Sequence, residues 1–173
     1  SLINVAVLME IGWINGVCFL KNNYRDSGMI NGLILTTMRI IDVTGGNVLR
    51  VMNMHEESCV GFGEAYFSTV EYNTIRGWKR HKEMTLNLVV PIGSIRFVVY
   101  DNRKDSSTAG NFEEIILSKE HYARLTVPPK LWVGFQGEGK GTNLLLNIAN
   151  IPHNDTEVDH AQLKSFGYDW TQE

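Results

Sequence analysis

The sequence predicts an all-β protein, built as an antiparallel sandwich or barrel. Three observations indicate this class: about seven to nine short stretches rich in β-branched and apolar residues, glycine or polar turns between them, and no long crossover helices. The 173 residues suit one domain with or without a tail, and a hydrophobic content of 43% is enough for a sizeable core.

The predicted strands follow one another from residue 33 onwards. Residues 33–43 form a first stretch that ends at the turn TGGN, and residues 47–54 form a second. The later strands are predicted in GFGEAYFSTV, MTLNLVVPIG, SIRFVVYD, FEEIILS, ARLTVPP and NLLLNIANI. The tail DTEVDHAQLKSF is predicted as a short C-terminal helix, because Val158, Leu163 and Phe166 have roughly helical spacing.

The N-terminal segment differs from the rest. INVAVLMEIGWINGVCFL is apolar, but Glu10 and two asparagines interrupt it and no A-x-A site follows, which argues against a signal peptide or a membrane anchor. It is either an amphipathic segment that packs on the domain or on a second subunit, or an extension upstream of a natural start at Met29. We expect residues 1–28 to be an extension and residues 29–173 to be the domain.

Charge and cysteine content exclude several function classes. The net charge of −3 and the lack of a basic face argue against nucleic-acid binding. Cys18 and Cys59 form no CxxC pair or zinc set, and unpatterned thiols are typical of the reducing cytoplasm. The loop GEGKGT lacks the spacing of a phosphate-binding loop and is predicted to be a hairpin tip.

A metal site is not predicted. His81 and Glu83 are close in sequence, but the ammonium of Lys79 would repel a divalent cation. The later strand VPPKLWVGFQ supplies no histidine. A metal-dependent β-barrel is kept as an alternative.

A cationic cluster in IRGWKRHK is the strongest candidate site. On a strand, Lys79 and His81 share one face, whereas Arg80 and Lys82 share the other. If the first pair lines a barrel, desolvation and mutual repulsion would lower both pKa values, and one group could act as a base near neutral pH. The alternative is a basic strand edge that discourages aggregation.

From about residue 39 to residue 170 the chain resembles the dTDP-4-dehydrorhamnose 3,5-epimerase family of cupin-type sugar-nucleotide enzymes, in a divergent epimerase-like branch. The matching segments are GFGEAYFS, IRGWKRHKEMTLNLVVPIG, IRFVVYDNRKDSSTAG, EEIILSKEHYARLTVPPKLWVGFQG and LLLNIANIPHNDTE. The resemblance implies a cupin-like jelly roll that forms a homodimer and holds a nucleotide-diphosphate 4-keto sugar in the barrel mouth. In this family a histidine removes a proton beside the keto group, a tyrosine returns it, and neither a metal nor an organic cofactor is needed.

The resemblance also assigns residues. Arg76 matches the family arginine near the base and the diphosphate, and a guanidinium suits a diphosphate through paired hydrogen bonds. Glu64 and Ser68 fall where the family has polar groups on the preceding strand, which implies substrate binding. Asp101 and Arg103 match a structural D-x-R element.

The chain departs from the family at the catalytic positions. Lys79 stands where the family has its base histidine, so His81 is the preferred base and Lys79 an enolate stabiliser or an alternative base. Val133 replaces a second histidine. The strand NLLLNIANI carries no tyrosine, which leaves His153 as the nearest proton donor and Tyr100 as a fallback if it faces inward.

These assignments predict an epimerase or keto-isomerase that acts on a 4-keto-6-deoxy sugar nucleotide in surface polysaccharide synthesis, such as that of lipopolysaccharide and O-antigen. Loss of the usual histidine and tyrosine favours an alternative: a catalytically silent sugar-nucleotide binder or assembly partner.

Overall fold

A computed structural model describes the backbone of residues 10–14 and 17–21 and, in full, residues 29–171. It confirms the all-β, cupin-like jelly-roll prediction: two five-stranded antiparallel sheets and two short hairpins. The strands are β1 Glu10–Ile14, β2 Val17–Lys21, β3 Ile34–Thr37, β4 Ile40–Val43, β5 Gly46–Leu49, β6 Glu64–Val70, β7 Ile75–His81, β8 Leu86–Ile92, β9 Ser94–Tyr100, β10 Phe112–Ser118, β11 Ala123–Val127, β12 Trp132–Gly137, β13 Asn143–Ala149 and β14 Val158–His160.

The order of strands in the two sheets places the core. The first sheet runs β3-β11-β8-β13-β6 and the second runs β10-β9-β12-β7-β14. Consecutive strands often lie in different sheets, as a jelly roll requires. Alternate side chains of both sheets meet between them, and Ile95, Phe97 and Leu125 are completely buried there.

An aromatic cluster covers the outer face of the second sheet. Trp78 is fully buried in it with Trp132 and Trp170, and residues of the C-terminal segment pack against them. The Trp78 indole Nε1 donates a hydrogen bond to the carbonyl of Leu163 at 3.0 Å. This packing fixes the outward side of β7 and therefore determines which of its side chains face the interior.

The C-terminal tail corrects one detail of the prediction. Residues 155–166 do not form one helical stretch: two 3-10 turns, Asp155–Glu157 and Leu163–Phe166, flank β14 in place of the predicted short helix. β14 pairs with β7, with Val158 opposite His81. Pairing satisfies backbone groups at the edge of β7, and this gain outweighs a weak helical spacing in the sequence.

Two further predictions on extended segments are adjusted. The stretch 33–43 divides into β3 and β4, and the strand predicted at 47–54 ends at Leu49. The hairpin β1–β2 lies inside the predicted extension, whose boundary at residue 29 stays a prediction; residues 1–9, 15–16 and 22–28 lie outside the described part. Across the described residues, no helix has the length and apolar character that crossing a bilayer would require.

Candidate functional site

A cavity of about 160 Å³ opens between the two sheets. Strands β6, β8 and β13 form one wall, and β7 and β12 form the other. Six of the side chains that the sequence singled out for chemistry line this cavity: Glu64, Ser68, Arg76, Lys79, His81 and His153. The apolar part of the lining, called the floor below, includes Leu86 and Leu88 of β8 and Leu145 of β13.

Strand alternation places the polar groups of β6. Glu64 and Ser68 lie four positions apart on this strand, and every second side chain points to the same face, so both line the cavity. Tyr66 lies between them on the same face and lines the cavity as well. Sequence analysis missed Tyr66, although the same alternation would have found it.

A bulge brings Arg76 and Lys79 to the same face of β7. Simple alternation would put side chains three residues apart on opposite faces. However, Arg76 lies opposite Phe135 and Lys79 lies opposite Val133, so three steps along β7 match two steps along β12. This extra residue reverses the alternation, and both cations line the cavity.

Two glycines permit the close contact at the bulge. A Cβ atom added at Gly77 would lie 2.8 Å from the Cα of Gly134. A Cβ atom added at Gly134 would lie 2.7 Å from the Trp170 ring. Larger residues at either position would therefore push β7, β12 and the aromatic cluster apart.

His81 is held by a buried carboxylate. Its Nδ1 lies 2.5 Å from Oε2 of Glu157, and the side chains of His81 and Glu157 are 15% and 8% exposed. The other carboxylate oxygen of Glu157 accepts hydrogen bonds from the backbone amides of Glu83 and Met84, at 2.7 and 2.8 Å. Glu157 is thus tied to two backbone groups and orients the imidazole with its remaining oxygen.

The charge of Glu157 determines the tautomer of His81. Burial raises the pKa of this carboxyl, but the amides of Glu83 and Met84 and the His81 ring outweigh burial and hold the pKa below its ordinary value. The group is therefore ionised at neutral pH and accepts a hydrogen bond from an N–H group. Neutral His81 consequently carries its proton on Nδ1, which leaves the lone pair of Nε2 for proton abstraction.

Arg76 and Lys79 are cations with uncommitted hydrogen-bond donors. Both are exposed, and neither side chain forms a hydrogen bond or an ion pair with the described residues. The next cation, Arg80, is different, because it points to the outer face, bonds Asp159 at 2.8 Å and covers the ring of Trp132. The cavity therefore presents two free positive groups to an anionic ligand.

The candidate proton donors occupy different places. His153 lines the cavity; its side chain is 62% exposed and its Nε2 lies 2.9 Å from Asp155. Tyr100 does not face inward: its ring stacks on Phe112 in the outer aromatic cluster, at 4.5 Å between centroids. The fallback role of Tyr100 is therefore excluded by geometry.

Glu157 and Asn147 also escaped sequence analysis. Glu157 lies in the tail that was predicted as helix, and only the pairing of β14 with β7 brings it to His81. Asn147 lies on β13, whose apolar neighbours gave no indication of a site. Within the described part of the chain, no three His, Cys, Asp or Glu side chains gather as a metal ion would require.

We expect Glu157→Gln to lower the free energy of unfolding at pH 7 by about 1–3 kcal/mol, because a neutral amide accepts backbone hydrogen bonds less strongly than a carboxylate. Since the folded state lowers the pKa of Glu157, its contribution exists above the ordinary value of 4.5 and is lost as the pH falls below it. Urea unfolding should therefore show that the free energy of unfolding falls less between pH 7 and about pH 4 in the variant than in the unmodified protein.

The matched control is Glu71→Gln, at an exposed position in the turn after β6. It should unfold like the unmodified protein at both pH values. Equal acid sensitivity of Glu157→Gln and the unmodified protein would contradict the proposed charge state of Glu157.

Comparison with known proteins identifies the family. The sequence profile described as dTDP-4-dehydrorhamnose 3,5-epimerase matches residues 27–172. A dTDP sugar isomerase structure from Desulfovibrio desulfuricans G20 is 34% identical with a TM-score of 0.79, and the match covers 82% of this chain and 92% of that one. A Legionella pneumophila epimerase in complex with dTDP-4-keto-L-rhamnose shares the fold, with 18% identity, a TM-score of 0.74, and coverage of 84% and 82%.

A curated relative gives the same indication. A probable low-salt glycan biosynthesis epimerase from Haloferax volcanii is 27% identical over 100 residues, which are 57% of this chain and 64% of the relative. The chain thus matches a little under two thirds of that protein's length. With a family profile that spans residues 27–172, the chain belongs to the dTDP-4-dehydrorhamnose 3,5-epimerase family.

Proposed function

We propose that the protein is a sugar-nucleotide epimerase or isomerase that removes a proton beside the keto group of a 4-keto-6-deoxy sugar nucleotide. One observation carries the proposal: a carboxylate-oriented histidine and two cations without a partner among the described residues line a single cavity. Enolate formation requires a base and a positive charge that can both reach the reacting carbonyl and its neighbouring carbon.

The reaction follows from the roles of these groups. His81 takes the proton from the carbon next to the keto group through Nε2, the C–H bond breaks, and its electrons form an enolate. The Lys79 ammonium stabilises the negative oxygen, and Arg76 holds the diphosphate. His153 returns a proton to the opposite face of the carbon, which inverts its configuration.

The substrate class is supported by the relatives. The Legionella protein was solved with dTDP-4-keto-L-rhamnose, and the Haloferax relative is described as a glycan biosynthesis epimerase. The apolar floor of the cavity suits the methyl group of a 6-deoxy sugar.

We place the protein in the cytoplasm, in the synthesis of a surface polysaccharide such as lipopolysaccharide.

Proton exchange with solvent tests the proposal. The protein is incubated with a dTDP-linked 4-keto-6-deoxyhexose in deuterated water, and deuterium at C3 and C5 is followed by NMR. We expect incorporation at one or both carbons, well above the rate without protein. No incorporation above that rate would overturn the proposed reaction.

The alternative is a catalytically silent sugar-nucleotide binder or assembly partner. The presence of Lys79, where the family has its base histidine, favours this possibility. Calorimetric binding of the same sugar nucleotide without any deuterium incorporation would support it.

We also propose a homodimer, as the resemblance implies. The outer face of β6 and β13 is apolar: Phe67 is 62% exposed and lies opposite Leu146. Such a face is typical of a surface covered by another subunit. A monomer mass at micromolar concentration in sedimentation equilibrium would argue against the dimer.

A further inference from the structure

We propose that Asn147 and Tyr66 form a recognition pair that reads one ring hydroxyl of the bound hexose and thereby sets substrate specificity. The inference rests on the sugar-nucleotide binding part of the proposed function and does not depend on proton transfer. It begins from a buried polar atom that the remainder of the described fold leaves without a hydrogen bond.

The atom is Oδ1 of Asn147. The side chain is 2% exposed, and no donor among the described residues bonds this oxygen. Asn147 lines the cavity on an otherwise apolar stretch of β13 and β8, next to Leu145 and opposite Leu88. Burying an amide oxygen without a donor destabilises the folded state, and the neighbouring positions are apolar. An amide at this position therefore points to a ligand.

Tyr66 supplies the second half of the pair. It lies directly opposite Asn147 in the β6–β13 register, and its hydroxyl oxygen accepts a hydrogen bond from Asn147 Nδ2 at 3.0 Å. With Nδ2 on Tyr66, Oδ1 remains an acceptor and the Tyr66 O–H remains a donor; with the amide reversed, the Tyr66 O–H would bond Oδ1, and the pair would still offer one donor and one acceptor. The pair therefore offers one acceptor and one donor side by side.

That combination selects one chemical group. A sugar hydroxyl both donates and accepts, so it can satisfy Asn147 Oδ1 and Tyr66 O–H together. A keto oxygen only accepts and a methyl group does neither, so both would leave the amide oxygen unsatisfied. The keto oxygen instead suits the ammonium of Lys79 on the β7 wall, which places the carbonyl and the recognised hydroxyl on different sides of the ring.

Binding of stable sugar nucleotides tests the pair without catalysis. Calorimetry is performed with dTDP, dTDP-glucose and the 2-deoxy and 3-deoxy analogues of dTDP-glucose. We expect one analogue to bind about 100-fold more weakly than dTDP-glucose, because removing the hydroxyl leaves buried polar groups unpaired. In Asn147→Leu this difference should shrink to about 3-fold or less, while dTDP itself binds as before.

Tyr66→Phe is the second variant, since it removes only the hydroxyl. It should weaken dTDP-glucose about 10-fold and reduce the discrimination against the same analogue. Tyr72→Phe is its matched control, because Tyr72 has the same exposure of 46% but lies in the turn after β6 and does not line the cavity. Thermal unfolding of each variant checks that the fold is retained, and Tyr66→Phe carries the test if Asn147→Leu does not fold.

Two outcomes would overturn the inference alone: equal binding of dTDP-glucose and both analogues, or full discrimination retained in Asn147→Leu and Tyr66→Phe. Failure to bind dTDP and every dTDP-hexose would instead refute the proposed sugar-nucleotide function, and the recognition pair with it. Absence of deuterium exchange with intact discrimination would refute only the proposed reaction.

Discussion

Replacing His81 with asparagine is expected to reduce deuterium incorporation into a 4-keto sugar nucleotide by about 10²- to 10⁴-fold, the range that a positioned general base contributes. Asparagine can still bond the Glu157 carboxylate, but it offers no basic nitrogen to the cavity. Because this residue is proposed to break the C–H bond, exchange and inversion should fall together. The measurement is the initial rate of deuterium incorporation by NMR, at saturating substrate.

His160→Asn is the matched control for this variant. His160 lies on β14 opposite Lys79 in the strand register, is exposed, and does not line the cavity. Its replacement should leave the rate unchanged. If His81→Asn exchanged as fast as the unmodified protein, the base would have to be another group, and Lys79 would be the first to test.

Replacing Arg76 with alanine is expected to weaken dTDP binding about 10- to 100-fold, since a charge-assisted hydrogen bond to phosphate contributes about 1.5–3 kcal/mol. Arg76 is exposed at the cavity wall, which limits the effect relative to a buried ion pair. Arg76→Lys should recover only part of the affinity, because an ammonium cannot form the paired bonds of a guanidinium. Calorimetry with dTDP measures both variants.

Arg39→Ala removes an exposed arginine that does not line the cavity and should leave the affinity as it was. An unchanged dissociation constant in Arg76→Ala would mean that the diphosphate lies elsewhere. The outer cleft that contains Lys82 and Lys130 would then be the next cationic surface to examine.

The local sequence was informative about features that depend on a single strand, such as which side chains share a face. Alternation on β6 places Glu64 and Ser68 on one face, and alternation on β7 places Lys79 and His81 together. Turn residues and short apolar runs indicated the all-β class, because the two-residue alternation of side chains can be seen within each strand. These features depend on contacts between near neighbours in the chain.

The remaining parts of the site depend on distant segments. Arg76 joins Lys79 only because β7 bulges where it pairs with β12, and no local pattern on β7 predicts the register of its partner. Glu157 reaches His81 across 76 positions of sequence because β14 pairs with β7. Asn147 pairs with Tyr66 only because β13 and β6 are adjacent in the sheet.

The class of fold and the candidate cations, histidines and polar groups follow from local patterns, because side-chain periodicity is a property of each strand alone. The folded arrangement is needed to show which nitrogen of His81 is free, which side chains share the cavity and which buried amide has no donor among the described residues. Hydrogen bonds between strands far apart in the chain fix both register and burial, so neither quantity is encoded in the local pattern.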